Sequence, residues 1–311
     1  MKAISIACSL LIRSINVGAF HAVSFIPPAT RNLLSTATFA PSHQLSAPTF
    51  LHATTGDSQE REPSKMDEVI YDFNKVVIDT VYDLICLLYP VTGSPRDFAR
   101  FYVLETVARV PYFAYLSVMH LRETFGERSP TQSEKMRTHY AEADNELHHL
   151  LIMESLGGNS SFIDRTIAQT MAFGYYWYVV AVYSVSEQAA YHLSELIEDH
   201  AYETYDKFLK DYAEILKSKP VPPIAKKYYV EDNPFLFDLF CTVKDVDERG
   251  KFSARRPKLD SLYDVFVNVR DDEREHWKTL CNLVQYNDMQ GVPNNQVKGT
   301  SKSIKELMPS P

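Results

Sequence analysis

Cysteine is scarce: there are four in 311 residues. Those beyond the N-terminal region, Cys86, Cys241 and Cys281, show no paired spacing. That excludes a disulfide framework and leaves reduced structural thiols, with any regulatory use of them open. Basic residues are also short, 32 against 40 acidic, for a formal net charge of −8. Nucleic acid is therefore not an expected partner. Acidic residues are missing altogether before Asp57, and charge of either sign is missing from Thr166 to Ser186.

The acid-free start carries Lys2, Arg13 and Arg31 among many Ser, Thr, Ala and Pro, the composition of a targeting segment. Lys2 precedes an apolar run, Ile4 to Ile12, and Gly18-Ala19 offers a small-residue cleavage point before Phe20. The expected division is a signal peptide over 1–19 and a plastid transit peptide over 20–56. This order resembles plastid proteins of algae with extra plastid membranes. A plain secretory signal with a disordered linker and a mitochondrial presequence are the rivals. An N-terminal amphipathic helix is expected within 57–95, a bundle over 96–290, and a polar tail over 291–311.

The expected content of the remainder is all-α. Apolar residues from Asp67 to Tyr89 recur with a 3.6-residue period that Pro90 stops. Further helices are expected over about 96–125, bent at Pro111, and over 131–156, 162–183 and 186–217. A Pro- and charge-rich connection, Pro220 to Pro257, leads to a last helix over about 259–289.

Two of these helices place a glutamate three residues before a histidine, Glu146 and His149, and Glu273 and His276. Residues three apart share a helix face, so each pair can offer a carboxylate and an imidazole to one point. Two such pairs plus one Glu from each of two other helices make the ligand set of a ferritin-like dinuclear carboxylate site. Glu105 lies in a nearly charge-free run and is one candidate. The second must come from the 186–217 helix, where spacing does not choose among Glu195, Glu198, Glu203, His192 and His200. A set of oxygen and nitrogen donors without thiolate suits iron or manganese and argues against structural zinc.

Four stretches carry a family resemblance. Leu104-Glu105-Thr-Val-Ala-Arg-Val-Pro-Tyr112, Asn145-Glu146-Leu-His-His149, Glu198-Asp-His-Ala-Tyr-Glu-Thr-Tyr205 and Asp272-Glu273-Arg-Glu-His276 resemble the signature regions of the alternative oxidase family. The insert ending at Arg255-Arg256-Pro257 resembles its plastid branch. The resemblance spans about residues 67–288. It implies two Fe ions per chain, with no haem and no flavin, held by Glu105, Glu146, His149, Glu198, Glu273 and His276. It implies Tyr205 as the catalytic tyrosine, and Arg100, Leu104, Ala201 and Thr204 as quinol-binding residues. Asn145 and Asp272 would orient the histidines. The implied activity is plastoquinol oxidation with four-electron reduction of O2 to water and no proton pumping, in a homodimer on one leaflet. Two departures are a short insertion around Glu127–Thr131 and the bulky neighbour that follows His276, Trp277.

The uncharged Thr166–Ser186 segment is long enough to span a bilayer. One crossing there would separate Glu146 and His149 from Glu198, so the expectation is a monotopic protein on the stromal face of the thylakoid membrane. Its 162–183 helix and the 67–89 helix would lie in the interface. The rival activities are a mitochondrial-type ubiquinol oxidase and a di-iron hydroxylase or desaturase. A ferritin-like iron-binding protein is the non-enzymatic alternative.

Overall fold

A serine stands immediately before five helices and sets where each begins. The computed structural model describes residues 60–232 and 257–289, all within the unit Ala53–Pro311. The helices are α1 (Lys65–Leu88), α2 (Asp97–Ala108), α3 (Val110–Thr124), α4 (Pro130–Ser155), α5 (Phe162–Val185), α6 (Glu187–Lys217), α7 (Pro223–Lys226) and α8 (Leu262–Tyr286). A π-helical turn, Lys227–Asp232, continues α7. Among the described residues there is no strand. The leader segments 1–19 and 20–56, Cys241 and the tail 291–311 lie outside the described residues.

Ser64, Ser129, Ser161 and Ser186 each accept a backbone N–H from the first turn of α1, α4, α5 and α6. At α1 the bond is reciprocated, because the Asp67 carboxylate accepts from the Ser64 N–H at 2.9 Å. Ser261 N–H likewise donates to Asp264 at 2.8 Å ahead of α8. Each such cap contributes about 1 kcal/mol by satisfying donors the helix leaves unpaired.

The single bent helix expected over 96–125 is two helices. The break falls at Arg109, ahead of Pro111, which occupies the first turn of α3. Pro111 has no N–H to donate to the carbonyl of Val107, so the ladder opens a turn upstream of the proline. The 220–257 connection also differs from expectation, since its first part is helical and buries Tyr228 and Tyr229.

The helices α2, α4, α6 and α8 form the bundle, with α6 packed along α8 and α2 along α4. Helix α1 lies on α6, and α5 lies on α2 and α3. The α4–α5 turn brings its backbone against α2 at Gly158. A Cβ there would stand 2.5 Å from the Phe98 carbonyl oxygen and 2.8 Å from Tyr102 Cβ, so no larger residue fits without moving backbone.

Two aromatic clusters fill the bundle. One contains Phe101, Tyr205, Phe208 and Phe266, the other Tyr112, Tyr115, Tyr183 and Tyr191. The outer helices keep apolar residues on two sides. Ile78 and Ile85 of α1 face inward, while Val69, Phe73 and Leu87 remain exposed, Leu87 at 77%. On α5 the exposed set includes Phe162, Ile163, Phe173 and Trp177. Among the described residues, no helix is long and apolar enough to cross a membrane.

Candidate metal centre

Each bundle helix delivers its acids to the same depth. Glu105 comes from α2, Glu146 and His149 from α4, Glu198 from α6, and Glu273 and His276 from α8; all six side chains are buried. Their ligand atoms make two groups. Glu105, Glu146, His149 and Glu273 form one, and Glu146, Glu198, Glu273 and His276 the other, each with its atoms within 4.8 Å of one another. Glu146 and Glu273 belong to both groups, so each could serve both of two cations held there.

The imidazoles alternate with the carboxylates. His149 Nδ1 lies 3.1 Å from Glu273 Oε1 and 3.7 Å from Glu105 Oε2. His276 Nδ1 lies 2.9 Å from Glu146 Oε1 and 3.9 Å from Glu198 Oε2. Behind His149, Asp272 Oδ2 stands 3.0 Å from Nε2, and that carboxylate also accepts from Asn145 Nδ2 at 3.0 Å and from Tyr229 Oη at 2.8 Å. Asn145 donates as well to Tyr228 Oη at 2.7 Å. Asn145 thus acts on His149 through Asp272. The sequence reading missed Tyr228 and Tyr229; the adjacent aromatic pair just beyond Pro222-Pro223 was the available signal.

Four buried carboxylates in one layer are unstable as bare anions. Burial pushes Glu146 and Glu273 well above the usual carboxylate range, with neighbouring carboxylates adding to it. Burial also raises Glu198. At His149 burial favours the neutral ring, but the bond to Asp272 and the charges of Glu105 and Glu146 outweigh it and carry the value up to about 10. Both oxygens of Glu146 and of Glu273, and Nδ1 of His149, are buried, and their close carboxylate–imidazole approaches are not aligned as hydrogen bonds. Orphaned acceptors converging on two points fit two divalent cations, and the carboxylate–imidazole donor set fits iron or manganese.

Tyr205, fully buried, donates its hydroxyl to Glu105 Oε1 and stacks on Phe101 at 4.8 Å between centroids. On the other side, Tyr112 donates to Glu198 Oε1 at 2.7 Å. Of the alternatives on α6, only Glu198 joins the cluster. His192 stacks on Tyr71 at 3.9 Å, and burial pulls its ring down to about 4. His200 stacks on Tyr82 at 4.3 Å.

A cavity of about 300 Å³ between α1, α2, α5 and α6 reaches Glu105. Leu104 and Ala201 line it; Arg100 and Thr204 do not, and both meet it through Tyr82. Thr204 Oγ1 is 3.1 Å from Tyr82 Oη, and the Arg100 guanidinium lies 5.8 Å from the Tyr82 ring while donating to Cys86 Sγ at 3.1 Å. Tyr82 is a wall residue that the sequence does not single out, and His200, a ligand candidate by spacing, belongs to this wall instead. The wall is otherwise apolar, with Val77, Val81 and Met171 among its residues.

A helical bundle with two carboxylate–imidazole groups sharing two glutamates defines a ferritin-like dinuclear carboxylate protein. Comparison with known proteins narrows this class: the family model "Alternative oxidase" matches residues 57–284, and the chain belongs to that family. It is 50% identical over 207 residues to "Ubiquinol oxidase 4, chloroplastic/chromoplastic" of Arabidopsis thaliana, covering 67% of this chain and 56% of the relative. It is 28% identical over 178 residues to "Ubiquinol oxidase 1a, mitochondrial" of Oryza sativa subsp. japonica, covering 57% and 45%. Against "Ubiquinol oxidase, mitochondrial" of Mangifera indica it is 27% identical over 179 residues, covering 57% and 47%. The chain thus spans about half the length of the curated relatives it matches. No solved structure matches it significantly.

Proposed function

We propose that the chain is a plastid-type quinol oxidase, which oxidises plastoquinol and reduces O2 to water at a di-iron centre without pumping protons. The observation that carries the reading is the pair of buried Glu/His groups, sharing Glu146 and Glu273, beside an apolar cavity with Glu105 in its wall. Bound iron would supply the one-electron chemistry that a closed-shell quinol and triplet O2 need in order to react.

The residues of the chain do the rest. Glu105, Glu146, His149, Glu198, Glu273 and His276 would hold the two ions. Asp272, oriented by Asn145 and Tyr229, fixes the ring of His149. Leu104 and Ala201 shape the quinol cavity, and Tyr82 transmits to it the positions of Arg100 and Thr204. Tyr205 holds a proton at Oη against Glu105, with its ring packed on Phe101, where it can give up an electron and a proton together. The packed clusters on both sides exclude water from the centre.

The exposed apolar residues of α1 and α5 support attachment to one leaflet, because such faces are otherwise costly in water. The stromal face of the thylakoid, the homodimer and the processed leader rest on the family resemblance and the acid-free N-terminus. The names of the relatives give ubiquinol, so the quinone must be tested. Oxygen uptake by the purified protein is expected to be faster with a plastoquinol analogue than with a ubiquinol analogue, and to persist in cyanide. Equal or reversed preference would assign the substrate otherwise, and cyanide inhibition at haem-oxidase concentrations would count against the centre.

A further inference from the structure

Beyond the metal ligands, the second aromatic cluster holds a buried hydrogen-bonded row that the proposed reaction does not use. Tyr191 Oη lies 3.1 Å from His139 Nε2, and His139 Nδ1 lies 2.6 Å from Glu142 Oε2. All three side chains are fully buried. A neutral ring with Nδ1–H donating to Glu142 leaves Nε2 as an acceptor for the Tyr191 hydroxyl. Aromatic rings connect this row to the centre. Tyr112 is 5.6 Å from the His276 ring, Tyr115 is 6.2 Å from Tyr112, and Tyr191 is 4.9 Å from Tyr115, centroid to centroid. Tyr183 follows at 5.7 Å, its ring beneath the Arg122 guanidinium at 5.3 Å.

We propose that Tyr191, His139 and Glu142 form a second redox-active tyrosine site, reached from the metal centre through Tyr112 and Tyr115 and separate from Tyr205. In the step, Tyr191 loses one electron through the ring path to a one-electron oxidant. Its phenolic proton moves from Oη to Nε2 of His139, and the imidazolium formed is held by the Glu142 carboxylate. The products are a neutral tyrosyl radical and a Glu142–imidazolium pair. Quinol supplies the returning electron, and the proton goes back to Oη. With iron bound, the oxygen chemistry of the proposed function would supply that oxidant, so in this respect the inference rests on the proposed function.

Tyr191 is the well in this path because of what its hydroxyl meets. Tyr115 donates to the Ala190 carbonyl at 2.9 Å and contacts the Ser194 hydroxyl, and neither is a base. Tyr183 Oη meets the Tyr191 hydroxyl at 3.3 Å. Burial holds the Tyr191 phenol well above its usual range, so it is neutral at rest and its oxidation requires an acceptor for the proton. Tyr112 instead donates to Glu198, whose carboxylate belongs to the metal cluster, and Tyr183 also bonds to Glu187; among the aromatic residues of this path, only Tyr191 has an imidazole placed as that acceptor. The nearest cation, Lys135 at 5.7 Å from the Tyr191 ring, is bound to Glu187 at 2.6 Å and to Asn287 at 2.7 Å. Such a site would store an oxidising equivalent away from the centre when quinol is lacking.

The test uses the purified full chain, metal content measured, with ring-deuterated tyrosine to identify tyrosyl signals by electron paramagnetic resonance. In one arm the reduced protein meets O2 without quinol and is freeze-quenched. In the other, photogenerated ruthenium(III) tris-bipyridyl oxidises the protein as isolated. Both arms are expected to give a tyrosyl component that Tyr191→Phe removes and Tyr205→Phe leaves. His139→Gln should shift its lowest-field g value or remove it, which covers the case in which Tyr191→Phe fails to fold. A photo-oxidised spectrum unchanged in Tyr191→Phe and in His139→Gln overturns the site. The component under light but not under O2 keeps the site and overturns its link to an oxygen-activating metal pair.

Discussion

Asp272 Oδ2 stands 3.0 Å from Nε2 of His149, and this contact decides that Nδ1 is the nitrogen turned toward Glu105, Glu146 and Glu273. The ligand atom of one helix is therefore chosen by a carboxylate from another. Asp272→Ala is expected to free the ring and to lower metal affinity about 10–100-fold. Chelator competition measures this, and unchanged affinity would remove Asp272 from the centre.

The two glutamates shared by both groups should differ from the two that belong to one. Glu146→Ala or Glu273→Ala deprives both groups and is expected to leave fewer than one metal per chain. Glu105→Ala or Glu198→Ala deprives one group and is expected to leave about one. Elemental analysis of the four variants checks the order, and equal loss in all four would refute the shared-ligand arrangement. Folding of the Ala variants can be followed separately by circular dichroism.

Metal binding should be tighter at higher pH. In the metal-free protein His149 is raised to about 10 and so holds a proton at neutral pH, while burial and neighbouring carboxylates shift Glu146 and Glu273 upward, so that they keep their protons to higher pH than free carboxylates do. A cation must displace them, so affinity increases as pH rises toward those values and falls in acid. Calorimetry in buffers of different ionisation enthalpy should find net proton release. An enthalpy independent of the buffer would contradict it.

Filling the cavity should separate quinol binding from metal binding. Ala201→Leu puts additional side-chain volume into the wall beside Leu104 and is expected to raise KM about tenfold or more with full metal content. Tyr82→Phe loses the Thr204 contact and should raise KM a few-fold, about 1 kcal/mol, with little change in kcat. A lowered kcat at unchanged KM would place the cavity outside the quinol route.

Leu87 and Trp177 are exposed by 77% and 58%, on α1 and α5. Leu87→Glu together with Trp177→Glu is expected to release the protein from vesicles. The stability cost should stay small, within about 0.5 kcal/mol per site, because neither side chain is buried. Co-sedimentation with liposomes measures it. High salt should not release the unaltered protein, since the attachment is apolar.

The helices and most of the chemistry could be read along the chain because both obey short-range rules. Three-residue spacing puts Glu146 with His149 and Glu273 with His276 on one face, whatever the fold. Serines at 64, 129, 161, 186 and 261 mark helix starts that a local hydrogen bond fixes. The break at Arg109 was less legible. A proline's effect falls on the carbonyl a turn upstream, and how sharply the ladder opens there depends on what packs around it.

Residues that meet across the bundle were decided only by tertiary structure. Spacing left five candidates on α6. Glu198 joins the cluster because of the way α6 packs against α8, whereas His192 and His200 turn to Tyr71 and Tyr82 of α1. Tyr228 and Tyr229 reach Asn145 and Asp272 from a connection with no helical periodicity to announce it. Arg100 and Thr204 stand at one remove from the cavity, with Tyr82 between. The sequence by itself determined an all-helical chain bearing paired Glu and His ligands, because a helix repeats its faces through its own backbone. The convergence of those side chains, the tyrosines behind them and the cavity beside them depend on residues far apart in sequence, and only the packing of α1, α2, α4, α6 and α8 could bring them together.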